Sequence, residues 1–191
     1  MDFLQLMKEQ RFSVRKFKEQ AVEKEKLELI LEAGRIAPTA CNYQPQRILV
    51  IENSAIRDKL KQCTSYNFGA PITLLVCYDK TTCWKNGTNG TISGDVDVSI
   101  VTTQMMLEAA SLGLGTTWIG GFNHQKAREL FGIPDYLVPV VLLPIGYPAE
   151  DAKPSPAHFK RFDMAHSVFY NSFDGIMEGE PHPFRKIQGE R

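Results

Sequence analysis

The stretch that most limits what this chain can become runs from Gly94 to Phe122, GDVDVSIVTTQMMLEAASLGLGTTWIGGF. Between Val98 and Gln125 its only formally charged side chain is Glu108. Wound as a helix, it puts Val98, Val101, Met105, Ala109 and Leu112 on one face, while Ile100, Met106, Leu107 and Ala110 occupy the rest of the circumference. A helix that is apolar nearly all round has to be covered on every side. Thr102, Thr103, Gln104, Glu108 and Ser111 interrupt any run of about 18 apolar residues, which argues against a membrane span. The element is therefore expected at the centre of the protein, against a sheet on one face and against more of the chain, or a second copy of it, on the other.

The residues after this helix, Gly113 to Trp118, read GLGTTW. A dinucleotide fingerprint would need a third glycine and a strand leading into a helix; here the order is reversed, so a Rossmann site is rejected. Further on, Gly120 and Gly121 leave the backbone without side chains where a short apolar strand emerges, so a flat ligand could come close and meet bare N–H groups. The same pair equally suits a plain turn into a helix capped by Asn123.

Lysine plus arginine number 22 and aspartate plus glutamate number 22. A net charge of zero offers no general attraction to nucleic acid or an anionic membrane, so small molecules or other proteins are the expected partners. The 191 residues are enough for a sizeable core, with about 70% of the unfolded surface buried on folding. Cys41, Cys63, Cys77 and Cys83 form no C-x-x-C pair, so no metal site is expected and free thiols are the default. The N-terminal residues have no long apolar run or small-residue cleavage site, and a cytoplasmic location is expected. On that basis the N-x-T triplets at Asn86 and Asn89 are read as accidents of a glycine-rich loop.

Taken in order, Asp2 can cap a short helix with Phe3, Leu4, Leu6 and Met7 on its apolar side, ending near Arg11. In the extended RFSVRKFK that follows, alternation places Arg11, Ser13 and Arg15 on one side. Two guanidinium forks and a hydroxyl suit a phosphate, although a solvated basic edge would read the same way. Residues Glu23 to Ile36 make an amphipathic helix that buries Leu27, Ile30, Leu31 and Gly34, stopped by Pro38. Ala37 to Ile48 is a loop of small and amide side chains between prolines, fit for a ligand's polar edge or for an ordinary turn. Strands are expected at Arg47 to Glu52 and Ile72 to Tyr78, with a helix between them capped by Ser54. The polar loop from Asp79 to Gly94 is expected to be mobile and to form a lid. A last strand, Val138 to Tyr147, is confined by Pro139 and Pro144 to an edge or a bulged position. The apolar residues Met177, Phe184 and Ile187 suggest that the C-terminal tail docks on the body or on a partner.

Read together, these segments resemble the nitroreductase family over essentially the whole chain. The likeness is carried by Arg11-Phe-Ser13-Val-Arg15, by Pro38-Thr-Ala-Cys-Asn42-Tyr-Gln44-Pro45, and by Ala70-Pro71 entering a strand. It is carried further by Gly113-Leu-Gly115 leading to Trp118-Ile-Gly120-Gly121, and by Lys160-Arg161 with Val168 to Tyr170 beyond. The resemblance implies an α+β fold: a three-layer α/β/α sandwich with a mixed, mainly antiparallel sheet, completed as an intertwined homodimer. It implies one domain over residues 1–170 and a C-terminal extension over 171–191. It also implies FMN as cofactor, with Arg11, Ser13, Arg15, Lys160 and Arg161 at its phosphate side. Pro38, Thr39, Ala40, Asn42 and Gln44 would come from the other subunit, and Trp118, Gly120 and Gly121 would lie along the flavin ring. The implied reaction is ping-pong transfer from NADH or NADPH to a small-molecule acceptor such as a nitroaromatic or quinone, with no catalytic side chain. Many relatives carry tryptophan where this chain has Gln46, and the lid region is short, so the substrate stays open. A flavin-degrading or dehalogenating enzyme and a non-catalytic flavin-binding protein remain the alternatives.

Overall fold

The sheet is built around the most thoroughly apolar run in the chain. β2 (Ile72–Asp79) is buried at every position, as a strand covered on both faces must be. It pairs with β1 (Gln46–Ile51) on one side and with β4 (Leu137–Gly146) on the other, and β3 (Gly115–Thr116) lies outside β4, giving the order β1-β2-β4-β3. All three ladders are antiparallel. A parallel bridge between Ser13 and Thr116 makes the sheet mixed in the expected sense. The structure, a computed structural model, describes residues 2–66 and 68–173.

Strand alternation divides the core in two. Leu74, Val76 and Tyr78 of β2, with Val141, Leu143 and Ile145 of β4, face the helices α2 (Lys24–Arg35) and α4 (Gly94–Ser111). Ile51, Leu75, Cys77 and Leu142 face the opposite layer, formed by α3 (Ser54–Leu60) and α5 (His124–Phe131). The result is the expected three-layer α+β sandwich. In the first layer Val98, Val101, Met105 and Ala109 of α4 are fully buried, as their spacing predicts. Gly34 is the point of closest approach between α2 and α4: a Cβ there would come within 2.8 Å of the Met105 sulfur. The other side of α4 is open in the single chain, with Val96 62% and Ile100 37% exposed.

Four expectations need correction. The cap of α3 is Asn53, whose side chain accepts from the amides of Ala55 and Ile56, so Ser54 is already helical. Strand β4 is interior, so the edge placement falls and the bulged one holds, its prolines being absorbed by two irregularities. The β2 register jumps from Val76 opposite Val141 to Cys77 opposite Pro139, leaving Val140 as the extra residue of a bulge. Pro144 falls where pairing to the β3 segment lapses, between Thr116 opposite Ile145 and Ile119 opposite Leu142. The helical start, α1 (Phe3–Gln5) running on as a wider turn over Leu6–Gln10, is capped by Asp2 as expected, but its Phe3 and Leu4 are exposed. Finally, the loop after β2 is a hydrogen-bonded hairpin in place of an open lid. Lys85 bridges Ile92, the Asn86 amide donates to Thr91 and the Ser93 amide to Trp84, while Asn86 and Asn89 spend their side-chain oxygens on the turn.

The chain divides after Lys153 into two units, earlier than the boundary expected at residue 170. The second, taken by itself, has two short turns, Pro156–Phe159 and Met164–His166, capped by Ser155 and Asp163. Apart from residues 171–173, the expected C-terminal extension lies outside the described residues. Among the described residues, no helix is long and apolar enough to cross a membrane.

Candidate functional site

The N-terminal basic segment becomes the outer border of the β3 edge. Val14 is buried, and its amide donates to the Thr116 carbonyl at 2.9 Å. Gly115 must be glycine here, because a Cβ would sit 2.5 Å from a Val14 methyl. The chain stays extended through Phe17, which bridges Pro148, and Lys18, whose amide donates to Tyr147 at 2.8 Å. With Val14 turned inward, alternation leaves Ser13 half-buried and Arg15 exposed on the outer side, and Arg11 half-buried two residues earlier. The Arg15 guanidinium folds back to donate to the Ser13 carbonyl at 3.2 Å.

From Thr116 the chain continues through buried Thr117 and half-open Trp118 to Ile119, which exchanges both backbone hydrogen bonds with Leu142 at 3.0 Å. Gly120 and Gly121 follow, exposed, at the end of this run. The segment after α3 braces them: the Thr64 hydroxyl donates to the Gly121 carbonyl at 2.8 Å, and the Asn123 amide donates to the Cys63 carbonyl at 2.8 Å. Neither glycine has positive φ. A Cβ on Gly120 would find nothing nearer than the Trp118 indole nitrogen at 3.9 Å, and one on Gly121 would only touch the Tyr66 ring at 3.4 Å. Gly115 is demanded by the chain's own packing, whereas Gly120 leaves a space that the chain does not use. Sequence reasoning missed Thr64 and Tyr66, which nothing in the local pattern tied to a glycine pair more than fifty residues away.

At the opposite edge of the sheet, the loop leading into β1 holds a costly conformation. Cys41, Asn42 and Gln44 have φ of 50°, 56° and 51°, left-handed values that cost non-glycine residues of order 1–3 kcal/mol each. The Thr39 hydroxyl accepts from the Gln44 amide at 3.0 Å, and the Asn42 amide donates to the Thr39 carbonyl. Two tethers fix this loop to the body. The Ala40 amide donates to Asp97 Oδ1 at 2.8 Å, and the Ser93 hydroxyl donates to Asp97 Oδ2 at 2.6 Å. Arg47 donates to the Gln44 carbonyl at 3.2 Å and pairs with Asp79 at 3.5 Å. A hydrogen bond from the Thr81 hydroxyl is the main reason the Asp79 carboxyl is held below its ordinary range; the Thr81 amide and Arg47 add to it. The hairpin therefore joins the loop at both its ends. Inside it, burial above all, and then the carboxylates Asp97, Asp79 and Asp95, push the Cys83 thiol up to about 11, so it stays protonated at neutral pH. Asp97 had a sequence signal that went unread: it stands four residues before Val101 and eight before Met105, on the buried stripe of α4.

The structure brings Ser13 and Arg15 together with the run from Thr116 to Gly121. It does not bring Pro38, Thr39, Ala40, Asn42 and Gln44 to them: β1 and β3 are opposite edges, three strand spacings or roughly 14 Å apart. Lys160 and Arg161 belong to the second unit, where Arg161 donates to the carbonyls of Ala157 and Lys160 at 3.1 and 2.7 Å. Among the histidines, His124 lies tilted against Phe122 at 4.4 Å and His166 stacks on Phe162 at 4.1 Å, while His182 lies outside the described residues.

Residues 9–68 and 64–147 match the model of the nitroreductase family. A protein of Methanothermobacter thermautotrophicus, provisionally named NADH dehydrogenase/NAD(P)H nitroreductase, is 31% identical over 163 residues, covering 79% of this chain and 80% of its own. A nitroreductase family protein from Clostridium difficile has a solved structure that matches with a TM-score of 0.85 at 40% identity, over 90% of this chain and 99% of its own. A Desulfovibrio desulfuricans protein, provisionally assigned as a nitroreductase and solved in complex with FMN, matches with a TM-score of 0.73 at 29% identity, over 91% of this chain and 98% of its own.

Proposed function

The chain belongs to the nitroreductase family, and on that footing we propose that it is an FMN-dependent NAD(P)H oxidoreductase, acting as a homodimer on nitroaromatic or quinone-type acceptors. FMN, when bound, would supply the redox chemistry between nicotinamide and acceptor, and one site serving both in turn would give ping-pong kinetics.

The protein's part is to bind, orient and exclude. Arg11, Ser13 and Arg15 would hold the phosphate, because two guanidinium forks neutralise its charge and the hydroxyl adds a directed hydrogen bond. Lys160 and Arg161 stay candidates for further phosphate charge on the family resemblance alone. The unfilled space beside Gly120 would admit a flat ring against bare peptide, with Trp118 at its border. Peptide N–H groups fixed there stabilise negative charge without reorganising. The loop from Pro38 to Gln44 would serve the other copy's site: Asn42 and Gln44 are exposed, and their own chain's phosphate side is an edge of the sheet away. The open outer side of α4 supplies the apolar surface such a dimer needs.

The observation that carries this reading is the pairing of Ser13 with Thr116, which sets the basic segment beside the run that ends in the open space at Gly120. The test is the visible spectrum of the purified protein. Bound FMN should bleach with NADH or NADPH under nitrogen and recover on addition of menadione or a nitrofuran. Flavin that stays oxidised with both donors would favour a non-catalytic role, and bleaching without recovery would discard this acceptor class. Arg15→Ala should weaken FMN by about tenfold to a hundredfold while leaving riboflavin unchanged.

A further inference from the structure

Asp97 is given no role in the reading above, yet at 1% exposure it is the most buried carboxylate among the described residues. Burying an acid is unfavourable unless its oxygens are satisfied. Both are: Oδ1 by the Ala40 amide from another part of the chain, and Oδ2 by the Ser93 hydroxyl. Its place in the first turn of α4 adds the favourable field of a helix N-terminus. What it holds is specific. Ala40 directly precedes Cys41 and Asn42, the first of the three left-handed residues, whose conformation persists only where the surroundings impose it. The hydrogen bonds from Asn42 and Gln44 to Thr39 are internal to the loop and would travel with it. At the loop's far end Arg47 holds the Gln44 carbonyl, and at its near end Asp97 holds Ala40.

We infer that Asp97 is a positioning residue: through the Ala40 amide it fixes the shape of the Thr39–Gln44 loop, and so sets flavin affinity without touching flavin. The second half of this statement rests on the proposed assignment of that loop to an FMN site.

Hydrogen–deuterium exchange on the full-length flavin-free protein tests the first half directly. Asp97→Ala should raise exchange in peptides covering residues 38–46 by about tenfold, the loss of one charge-assisted hydrogen bond, while peptides from β2 and β4 keep their wild-type rates. Asp97→Asn retains an amide oxygen that can accept from Ala40, and should stay within about threefold of wild type. Flavin titration tests the second half. Asp97→Ala should weaken FMN and riboflavin by the same factor, about tenfold, unlike Arg15→Ala, which discriminates between them. Unchanged exchange at 38–46 in Asp97→Ala overturns the inference, and so does equal loosening of the loop and the sheet. If Asp97→Ala does not fold, Ser93→Ala decides: a rise of about threefold confined to 38–46 supports the role, and no rise there overturns it. A wild-type chain that binds no flavin would defeat the cofactor assignment alone, because the exchange experiment does not involve flavin.

Discussion

The two helical layers of this sandwich finish their burial in different ways. Helices α3 and α5 are short, capped at their starts by Asn53 and Asn123, and α5 is stopped by Gly132 with φ 63°. The outer face of α5 is polar, with His124, Gln125 and Glu129 exposed, and α3 leaves one large apolar side chain, Ile56, in the open. Helix α4 is longer, buries Val98, Val101 and Met105 on the sheet side, and still presents Val96 and Ile100 to solvent. One layer is a finished surface. The other has the composition of a middle layer, and the difference locates where a second copy would add its own cover.

The sharpest way to break this contrast is to charge the outer side of each layer. Ile100→Glu should dissociate the proposed dimer and weaken FMN by at least thirtyfold, the scale of an interface hot spot, whereas Gln125→Glu on α5 should change neither. Sedimentation with flavin retention reads both. A dimeric Ile100→Glu protein with wild-type FMN affinity would remove α4 from the interface. Next in size, Met105→Ala on the inner side of α4 should cost about 2–5 kcal/mol in denaturant unfolding, because Gly34 has no side chain with which to fill the cavity. The layer of α3 and α5 should respond to loss of its caps. Asn53→Ala and Asn123→Ala should each cost about 1 kcal/mol and leave the oligomeric state as it was.

The smallest expected difference is none at all. Burial pushes the thiols of Cys77, in the α3/α5 layer, and Cys83, beside α4, both up to about 11. The unfolded chain ionises its thiols first, near 8.5, so each contributes stability that is complete below that pH and is lost as pH rises toward 11. Iodoacetamide near pH 8 should therefore label exposed Cys41 first and spare both others to a similar degree. Fast labelling of Cys83 alone would mean that the hairpin opens where the sheet does not.

What could be read in the sequence followed how local its causes were. Helix α4 and strand β2 announce themselves because a long, predominantly apolar run has only one place to go. Asn123 and Gly132 mark α5 by cap chemistry that acts within one turn. The cap of α3 went to Asn53 over Ser54 because two capping residues stand side by side and only the backbone decides between them. Pro139 and Pro144 suggested an edge or a bulged position, and the second holds: a bulge at Val140 and a lapse in pairing beside β3 let an interior strand do without their N–H groups. Asparagine and glycine after Asp79 suggested mobility when they were instead making the turn of a hairpin. On the site side, Ser13, Arg15, Trp118, Gly120 and Gly121 were legible as types. The tether from Asp97 to Ala40 was not, since no pattern within one segment encodes a contact between two.

The pairing of Val14 and Ser13 with Thr116, and of Lys16 and Lys18 with Ala149 and Tyr147, has a consequence in time. The basic segment takes its partners from more than a hundred residues further along the chain, at Thr116, Tyr147 and Ala149. Closing so long a loop adds only a modest entropic cost, but contacts this distant in sequence are slow to form. This border of the sheet is therefore expected to lock late. If Arg11, Ser13 and Arg15 hold FMN as proposed, cofactor capture would wait on the pairing of their segment with β3 and with the chain beyond β4.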